Sequence, residues 1–497
     1  MRVKLTQPQA SIFNNPRHLN LFHSGKGSGK THLMGVISYS LAQMFPAVKG
    51  FIGANTYDQL NTSTMTKILE VWEKYFNLKE YTPETKTGDY VIHKNPPSHF
   101  ADVGYNFISY KNILTFKNGH TIFLGSLDNA KAHEGKEFAY AMLDETKDSD
   151  ENDIKDTILS RIRQTGVFIN KEKFTNIQSE TSKAINPLWI FTSPARVQWL
   201  AEWFNLDSLR ADIESIIYSL DDYFVYRSDR FNIVISSTHH NQGNIPEDYI
   251  QNLILSNTEE KVKMIVYGSP FARGGAEYIS SFDETVFIKS CSFDSEKAIH
   301  LSFDFNIKPY NSCGLFQISK PETKLIVKGI EILYIVRMFG EIALKPPTNS
   351  VGKVCQTIID MFQGHKNGMY IYGDATGKNR NAGFEEYKHN YDQIQHKLNM
   401  FLGLNSMRVK RSNAANVKRR DFMNLLFEQK LPIVFEIDPG CKYTIDDIKY
   451  SKVDVDGSKD PCMTKDEQTG EQYEKLGHML DLCEYFYTSA FERYFNQ

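Results

Sequence analysis

Apolar and polar positions alternate along residues 300–309 (HLSFDFNIKP). Leu301, Phe303 and Phe305 fall on one side, and Ser302, Asp304 and Asn306 on the other. This is the two-residue period of a strand with one buried face, so the pattern predicts Asp304 mid-strand with its carboxylate on the wet side. In the first half, HLNLFHS (18–24) reads as a strand that runs straight into SGKGSGKT (24–31) and then a helix, THLMGVISYSLAQMF. Apolar runs predict further strands at 138–143 and at LWIF, and ISSTHHNQGNIPEDYIQNLI reads as strand, loop and capped helix. The second half predicts strands at HLSFDF, SCGLFQIS and TKLIVKGIEILYIV, a helix at SVGKVCQTIIDMF and a strand at GMYIYGD ending in Asp374. A last helix carries an apolar stripe of Leu476, Met479, Leu480, Cys483, Phe486, Tyr487 and Ala490. His478 and Asp481, three residues apart, share a neighbouring face and are candidates to point at the strand acids.

The chain's 497 residues imply two or three domains. The stretch YGSPFARGGAEYISSFDET breaks the periodicity, which places a core at 1–220, a subdomain or linker at 221–290 and a second domain at 291–497. Apolar content of 41% and charged content of 24% are those of a soluble globular protein. A formal charge of only −3 requires that any polyanion surface be a local patch. No signal-peptide core or membrane-length apolar run is present. The six cysteines lack CxxC spacing and read as reduced thiols.

Two candidate chemistries emerge. Strand, glycine-rich turn and helix is the context of a phosphate-binding loop. Gly25, Lys26, Gly27, Ser28 and Gly29 would turn backbone N–H groups toward ATP phosphates, Lys30 would reach the β and γ phosphates, and Thr31 would ligate Mg²⁺. Ser24 stands where this loop usually has its first glycine. Downstream, the apolar run of EFAYAMLDE ends in Asp144, to hold the metal's water shell, and Glu145, to deprotonate the attacking water. Gln9 is a candidate adenine reader, Thr192 and Ser193 are candidate γ-phosphate sensors that couple hydrolysis onward, and Arg161 and Arg163 are candidate charge-stabilising arginines.

The second chemistry rests on Asp304, Asp374 and Asp481. Acids from distant sequence positions that meet at one sheet edge repel unless a cation neutralises them, and hard Mg²⁺ or Mn²⁺ ions take such oxygen ligands. Two ions would support phosphodiester hydrolysis, with His478 auxiliary. Arg408, Lys410, Arg411, Lys418, Arg419 and Arg420 form either a DNA-phosphate track or a solvated helix face. A D-G turn at Asp456-Gly457 predicts a hairpin that lies over the cleft.

The serial order of SGKGSGKT, AYAMLDE, FTSPA, STHHNQGNIPEDYI, SFDFN, YGDATG and GHMLDLCEYF resembles the large terminase subunit of tailed double-stranded DNA bacteriophages. The resemblance implies an α/β chain in which a P-loop ASCE-type ATPase domain precedes an RNase H-like nuclease domain. It implies Lys30, Thr31, Asp144 and Glu145 as ATPase residues, Thr192–Ser193 as the coupling motif, and Asp304, Asp374 and Asp481, beside His478, as nuclease metal ligands. Where the family often has a P-loop arginine, this chain has Lys26. The implied function is ATP-driven packaging of double-stranded DNA into a procapsid, with cutting of concatemers. The implied partners are a portal protein and a small terminase subunit, with a homo-oligomeric ring when docked and a monomer when alone. The setting would be the host cytoplasm, transiently on the procapsid. Two alternatives are a cellular helicase or translocase fused to a repair nuclease, and a DNA-binding scaffold switched by ATP. The absence of a second motor lobe after residue 290 disfavours the first, and the Asp144-Glu145 pair disfavours the second.

Overall fold

A computed structural model describes residues 3–102, 107–164, 186–193, 195–272, 274–379, 387–454, 456–466 and 469–496. The chain forms two compact units, Met1–Gly274 and Gly275–Gln497.

Among the described residues, the first unit is built on a nine-stranded sheet. Its strands are β1 (Leu19–Ser24), β2 (Lys49–Ala54), β3 (Tyr90–Ile92), β4 (Ile113–Phe116), β5 (Thr121–Ser126), β6 (Tyr140–Asp144), β7 (Leu188–Thr192), β8 (Phe224–Arg227) and β9 (Phe231–Ser236). They lie in the order β3-β4-β5-β2-β6-β7-β1-β9-β8. The strands β2, β6, β7, β1 and β9 run parallel and read as continuous apolar runs because helices and loops cover both faces. One core lies against helices Lys30–Met44 and Met65–Phe76, and the other against Gln198–Trp203 and Arg210–Ile216. Insertion of β7 between the P-loop strand β1 and the acid-bearing strand β6 is the ASCE arrangement. The sheet does not stop at residue 220: β9 pairs with β1 through six residues, and β8 forms the edge beyond it. The segment expected to be a subdomain or linker from 221 therefore begins as part of the ATPase sheet, and the boundary falls at 274–275.

The second unit carries β10 (Ile299–Asp304), β11 (Asn311–Ser319), β12 (Ile326–Val327), β13 (Ile330–Glu331), β14 (Tyr334–Leu344), β15 (Met369–Gly373), β16 (Ile433–Ile437), β17 (Met463–Lys465) and β18 (Gln472–Glu474). Its main sheet has the order β15-β10-β11-β14-β16. Strands β10, β11 and β14 form an antiparallel meander, and β15 lies parallel to β10, which is RNase H-like. The expected single strand over 323–336 is broken. Lys328 (φ +47) and Gly329 (φ +81) make a left-handed two-residue turn between β12 and β13. Asp304 also departs from its expected wet position. Ser302 and Asp304 are both buried, because helix His478–Ala490 packs on that face and Ser302 Oγ donates to Leu482 O at 2.7 Å. The strand is two-sided; its polar face meets a helix instead of solvent.

Candidate functional site

In the first unit the P-loop leaves β1 with Gly27 (φ +74) and Gly29 (φ +81) in the left-handed region, where a Cβ is disfavoured. The loop is braced from outside. Thr238 Oγ1 donates to Lys26 O at 2.7 Å and Asn241 Nδ2 to Gly27 O at 2.6 Å. Gly25 N–H donates to Ser236 O at 3.0 Å. Ser24, the departure from the usual loop, is buried and shares a 2.6 Å hydroxyl hydrogen bond with Ser28. These contacts tie the loop to the turn after β9, which is why the sheet must run past residue 220.

Gln9 stands against the P-loop and lines the cleft above it. Its amide donates to Ser28 O at 3.2 Å and Gly29 O at 3.3 Å, while its oxygen accepts from Thr6 N–H at 3.0 Å in a helix capping box. Gln9 is a strut under the P-loop whose hydrogen-bonding groups are already engaged. A cleft of about 1090 Å³ opens over this loop, lined also by Lys67, Lys74 and Tyr75 of helix Met65–Phe76 and by Glu145, Ser193 and Tyr249. Its size and its cationic, glycine-rich floor fit a nucleoside triphosphate. Lys30 Nζ donates to Ser24 O at 3.2 Å and Gly25 O at 3.4 Å, and burial lowers the pKa of this ammonium.

Asp144 closes β6 and is 2% exposed. Its Oδ2 accepts from Thr31 at 3.3 Å and from Thr64 at 2.8 Å, whereas its buried Oδ1 has no partner among the described residues. Burial, then the charge of Glu145, raises its pKa to about 6. An orphaned carboxylate oxygen beside a P-loop threonine fits a divalent cation. Thr64 escaped the sequence reading; no local pattern distinguishes it, and a π-helical turn at Leu60–Thr64 is what aims it inward. Glu145 follows in the left-handed region (φ +52), and Ser193 N–H donates to its Oε2 at 3.0 Å, with the Ser193 hydroxyl on the other oxygen. Of the expected coupling pair, Ser193 reaches Glu145, while Thr192 is buried with its hydroxyl bonded to Ser193 O. Of the two candidate charge-stabilising arginines, Arg161 closes a 3-10 turn at Leu159–Arg161 and Arg163 lies beyond it, its N–H donating to Phe138 O at 2.9 Å.

In the second unit the register places Phe303 beside Gly373, so Asp304 and Asp374 stand at adjacent ends of β10 and β15. Asp374 N–H donates to Phe303 O at 3.1 Å. Helix His478–Ala490 crosses the same edge and delivers His478 and Asp481. His478 Nδ1 lies 3.3 Å from Asp304 Oδ2, and its Nε2 donates to Glu474 O at 3.0 Å. Burial disfavours the imidazolium, but the hydrogen bond and charge of Asp304 outweigh it and raise its pKa to about 9. Asp304 is itself pushed up, first by burial and then by the charge of Asp481. Burial, then the charges of Asp481, Asp304 and Asp374, pushes the Tyr485 phenol up.

The three aspartates were expected to cage divalent ions, and in this conformation they form no closed cage. Among the described residues no three acidic, histidine or cysteine side chains stand at ligating distance of one ion. Asp374 accepts from Thr376 N–H at 2.9 Å and Asn413 Nδ2 at 2.6 Å. Asp481 pairs with Lys459 at 2.5 Å and Arg419 at 3.4 Å. In this conformation the half-buried Lys459 ammonium, paired with Asp481, supplies positive charge to the carboxylate-bearing edge. The predicted D-G hairpin carries that lysine, with Val453 bridged to Lys459 and Gly457 at φ +83.

The basic group divides. Arg411 and Lys418 are exposed. Arg420 donates to Gly457 O at 2.8 Å. Arg419 is 5% exposed, with Nε on Glu484 at 2.7 Å, so it is an internal counter-ion and not part of a DNA track. No helix among the described residues is long and apolar enough to cross a membrane.

Comparison with known proteins gives a family match over residues 21–285, to "Terminase large subunit, T4likevirus-type, N-terminal". No curated protein matches. Among solved structures, the large terminase of a thermophilic bacteriophage is 11% identical, with a TM-score of 0.37, over 98% of this chain and 100% of that one. The Thermus phage P74-26 large terminase ATPase domain is 13% identical, with a TM-score of 0.33, over 54% of this chain and 94% of that one. The P22 large terminase nuclease domain is 10% identical, with a TM-score of 0.27, over 44% of this chain and 97% of that one. These structural likenesses are too distant to bear on function. The family match spans more than half of the chain, from within β1 past the end of β9, and on it the chain belongs to the terminase large subunit family.

Proposed function

We propose that this chain is the motor and cutter of a viral DNA-packaging machine, hydrolysing ATP in its first unit and cleaving duplex DNA in its second. Packaging is the function of the family, and the observation that carries the ATPase half is Glu145 clamped by Ser193 beside an Asp144 held by Thr31 and Thr64. ATP with Mg²⁺ would sit over the P-loop, held by Lys30, Thr31 and Asp144. The bound ion would neutralise phosphate charge. Glu145 orients water and takes its proton. Ser193 lies at the end of the strand next to β6, so displacement of Glu145 is transmitted directly to β7.

In the second unit Asp304, Asp374 and Asp481 would hold two Mg²⁺ or Mn²⁺ ions, which supply water activation and stabilisation of the leaving oxygen. His478 fixes the Asp304 carboxylate. The substrate is double-stranded DNA. The portal protein, a small terminase subunit, a ring of subunits and a transient place on the procapsid in the host cytoplasm complete the proposal. The test uses the full chain. Glu145→Gln should abolish ATP turnover and leave Mn²⁺-dependent plasmid cutting, and Asp304→Asn should do the reverse. Joint loss of both activities in either variant would reject the division of labour.

A further inference from the structure

Beside the second-unit acids lies a cavity of about 220 Å³ whose lining includes Arg408, Lys410, Asn413, Arg419, Tyr485 and Glu492. Its basic wall follows from strand periodicity. Residues 406–410 run along the free edge of β15: Ile371 N–H donates to Ser406 O at 2.8 Å, Arg408 N–H donates to Ile371 O at 2.7 Å, and Met407 bridges Ile371 in parallel. Met407 and Val409 turn into the core, which leaves Arg408 and Lys410 on the opposite side, over the cavity. The backbone of this rail is pinned. Lys378 Nζ donates to Val409 O and Lys410 O at 2.9 Å each, and Ser489 Oγ donates to Arg408 O at 2.8 Å.

The charges are unequally committed. Arg419 is spent on Glu484 and Asp481, and Lys410 is paired with Glu492. Arg408 lies over the Tyr370 ring at 5.5 Å, and no carboxylate among the described residues pairs with it. The cavity is also one residue away from two of the acids. Asn413 reaches Asp374 at 2.6 Å, and Arg419 reaches Asp481 at 3.4 Å.

We propose that this cavity is a phosphate seat for the DNA strand being cut, in which Arg408 and Lys410 receive the backbone phosphate next to the scissile one. The proposal rests on the nuclease reading above. A phosphate entering there replaces Glu492 as the partner of Lys410 and gives Arg408 its first anionic partner, so the strand is registered against Asp374 and Asp481 without any base being read.

The test is Mn²⁺-dependent cutting by the full chain as a function of duplex concentration, with DNA binding measured in EDTA across a salt series. Arg408→Ala should raise the DNA concentration for half-maximal cutting about tenfold and keep most of the rate at saturation. It should also lower the slope of log affinity against log salt by about 0.9. Arg408→Lys should recover part of the loss, Lys320→Ala on the exposed surface should change nothing, and Arg408→Gln serves if the alanine variant fails to fold. Inorganic phosphate and a thymidine mononucleotide serve as competitors; competition by phosphate alone, with an unchanged salt slope for DNA, would mark an adventitious anion site and overturn the proposal. Half-maximal concentration and salt slope equal to those of the unaltered chain would overturn it and leave the nuclease reading intact. An unaltered chain that does not cut would reject the nuclease reading and this one with it.

Discussion

Ser193 holds both carboxylate oxygens of Glu145, its N–H at 3.0 Å from Oε2 and its hydroxyl on Oε1. Glu145 leaves β6 in the left-handed region (φ +52), so its direction depends on this clamp more than on its own backbone. Ser193→Ala removes the hydroxyl and keeps the N–H. We expect ATP turnover to fall about tenfold or more, with nucleotide affinity unchanged. Stopped-flow binding of a fluorescent nucleotide beside steady-state turnover separates the two. A matching loss of affinity would make Ser193 a nucleotide contact instead.

Thr64→Val keeps the volume and removes one of the two hydroxyls on Asp144 Oδ2. The buried carboxylate then holds its charge less well, so the Mg²⁺ concentration for half-maximal turnover should rise several-fold. Thermal stability should fall by about 1–2 kcal/mol. Thr64→Ser should restore the Mg²⁺ response. Equal Mg²⁺ requirements in all three chains would reduce Thr64 to packing.

His120 is fully buried in the first unit, with Nδ1 donating to Phe45 O at 2.8 Å and Nε2 accepting from the Tyr140 hydroxyl at 2.8 Å. Burial pushes its pKa down to about 4. Between that value and the unfolded value near 6.5 the unfolded chain binds a proton that the folded chain does not. Stability is therefore full above about pH 6.5 and is lost as pH falls toward 4. At pH 5 this one group costs roughly 2 kcal/mol. Urea unfolding at pH 7 and pH 5 should show the loss, and His120→Gln should reduce it. A pH-independent midpoint would contradict the buried neutral imidazole.

Arg419→Ala strips the counter-charge from Glu484, which is 0% exposed, and from Asp481. Breaking such a buried pair costs about 3–5 kcal/mol. The expected outcome is a large drop in unfolding midpoint, and Arg419→Ala together with Glu484→Gln should recover part of it. Weakened DNA binding at unchanged stability would return Arg419 to the DNA surface.

What the sequence disclosed was whatever local chemistry encodes: the glycine turn into Lys30, the Asp144-Glu145 strand end, and Asp304 and Asp374 on two strands that pair side by side, although Asp304 closes its strand instead of lying within it. What it hid depends on tertiary placement. Period-two alternation reports two different faces but not which is wet, so Asp304 was assigned to solvent when a helix covers it. Arginine in a basic run looks the same whether exposed, as Arg411 is, or buried against Glu484, as Arg419 is. Thr64 and Lys459 carry no motif, because each matters only through an acid 80 or 22 residues away.

The central claim for the second unit is that Asp304, Asp374 and Asp481 act together on one phosphodiester. The measurement that tests it most directly is plasmid cutting in Mn²⁺ by full-length Asp374→Asn beside the unaltered chain, with ATP turnover followed in the same samples. The account predicts that cutting disappears while turnover persists. Cutting at the unaltered rate by Asp374→Asn would contradict it.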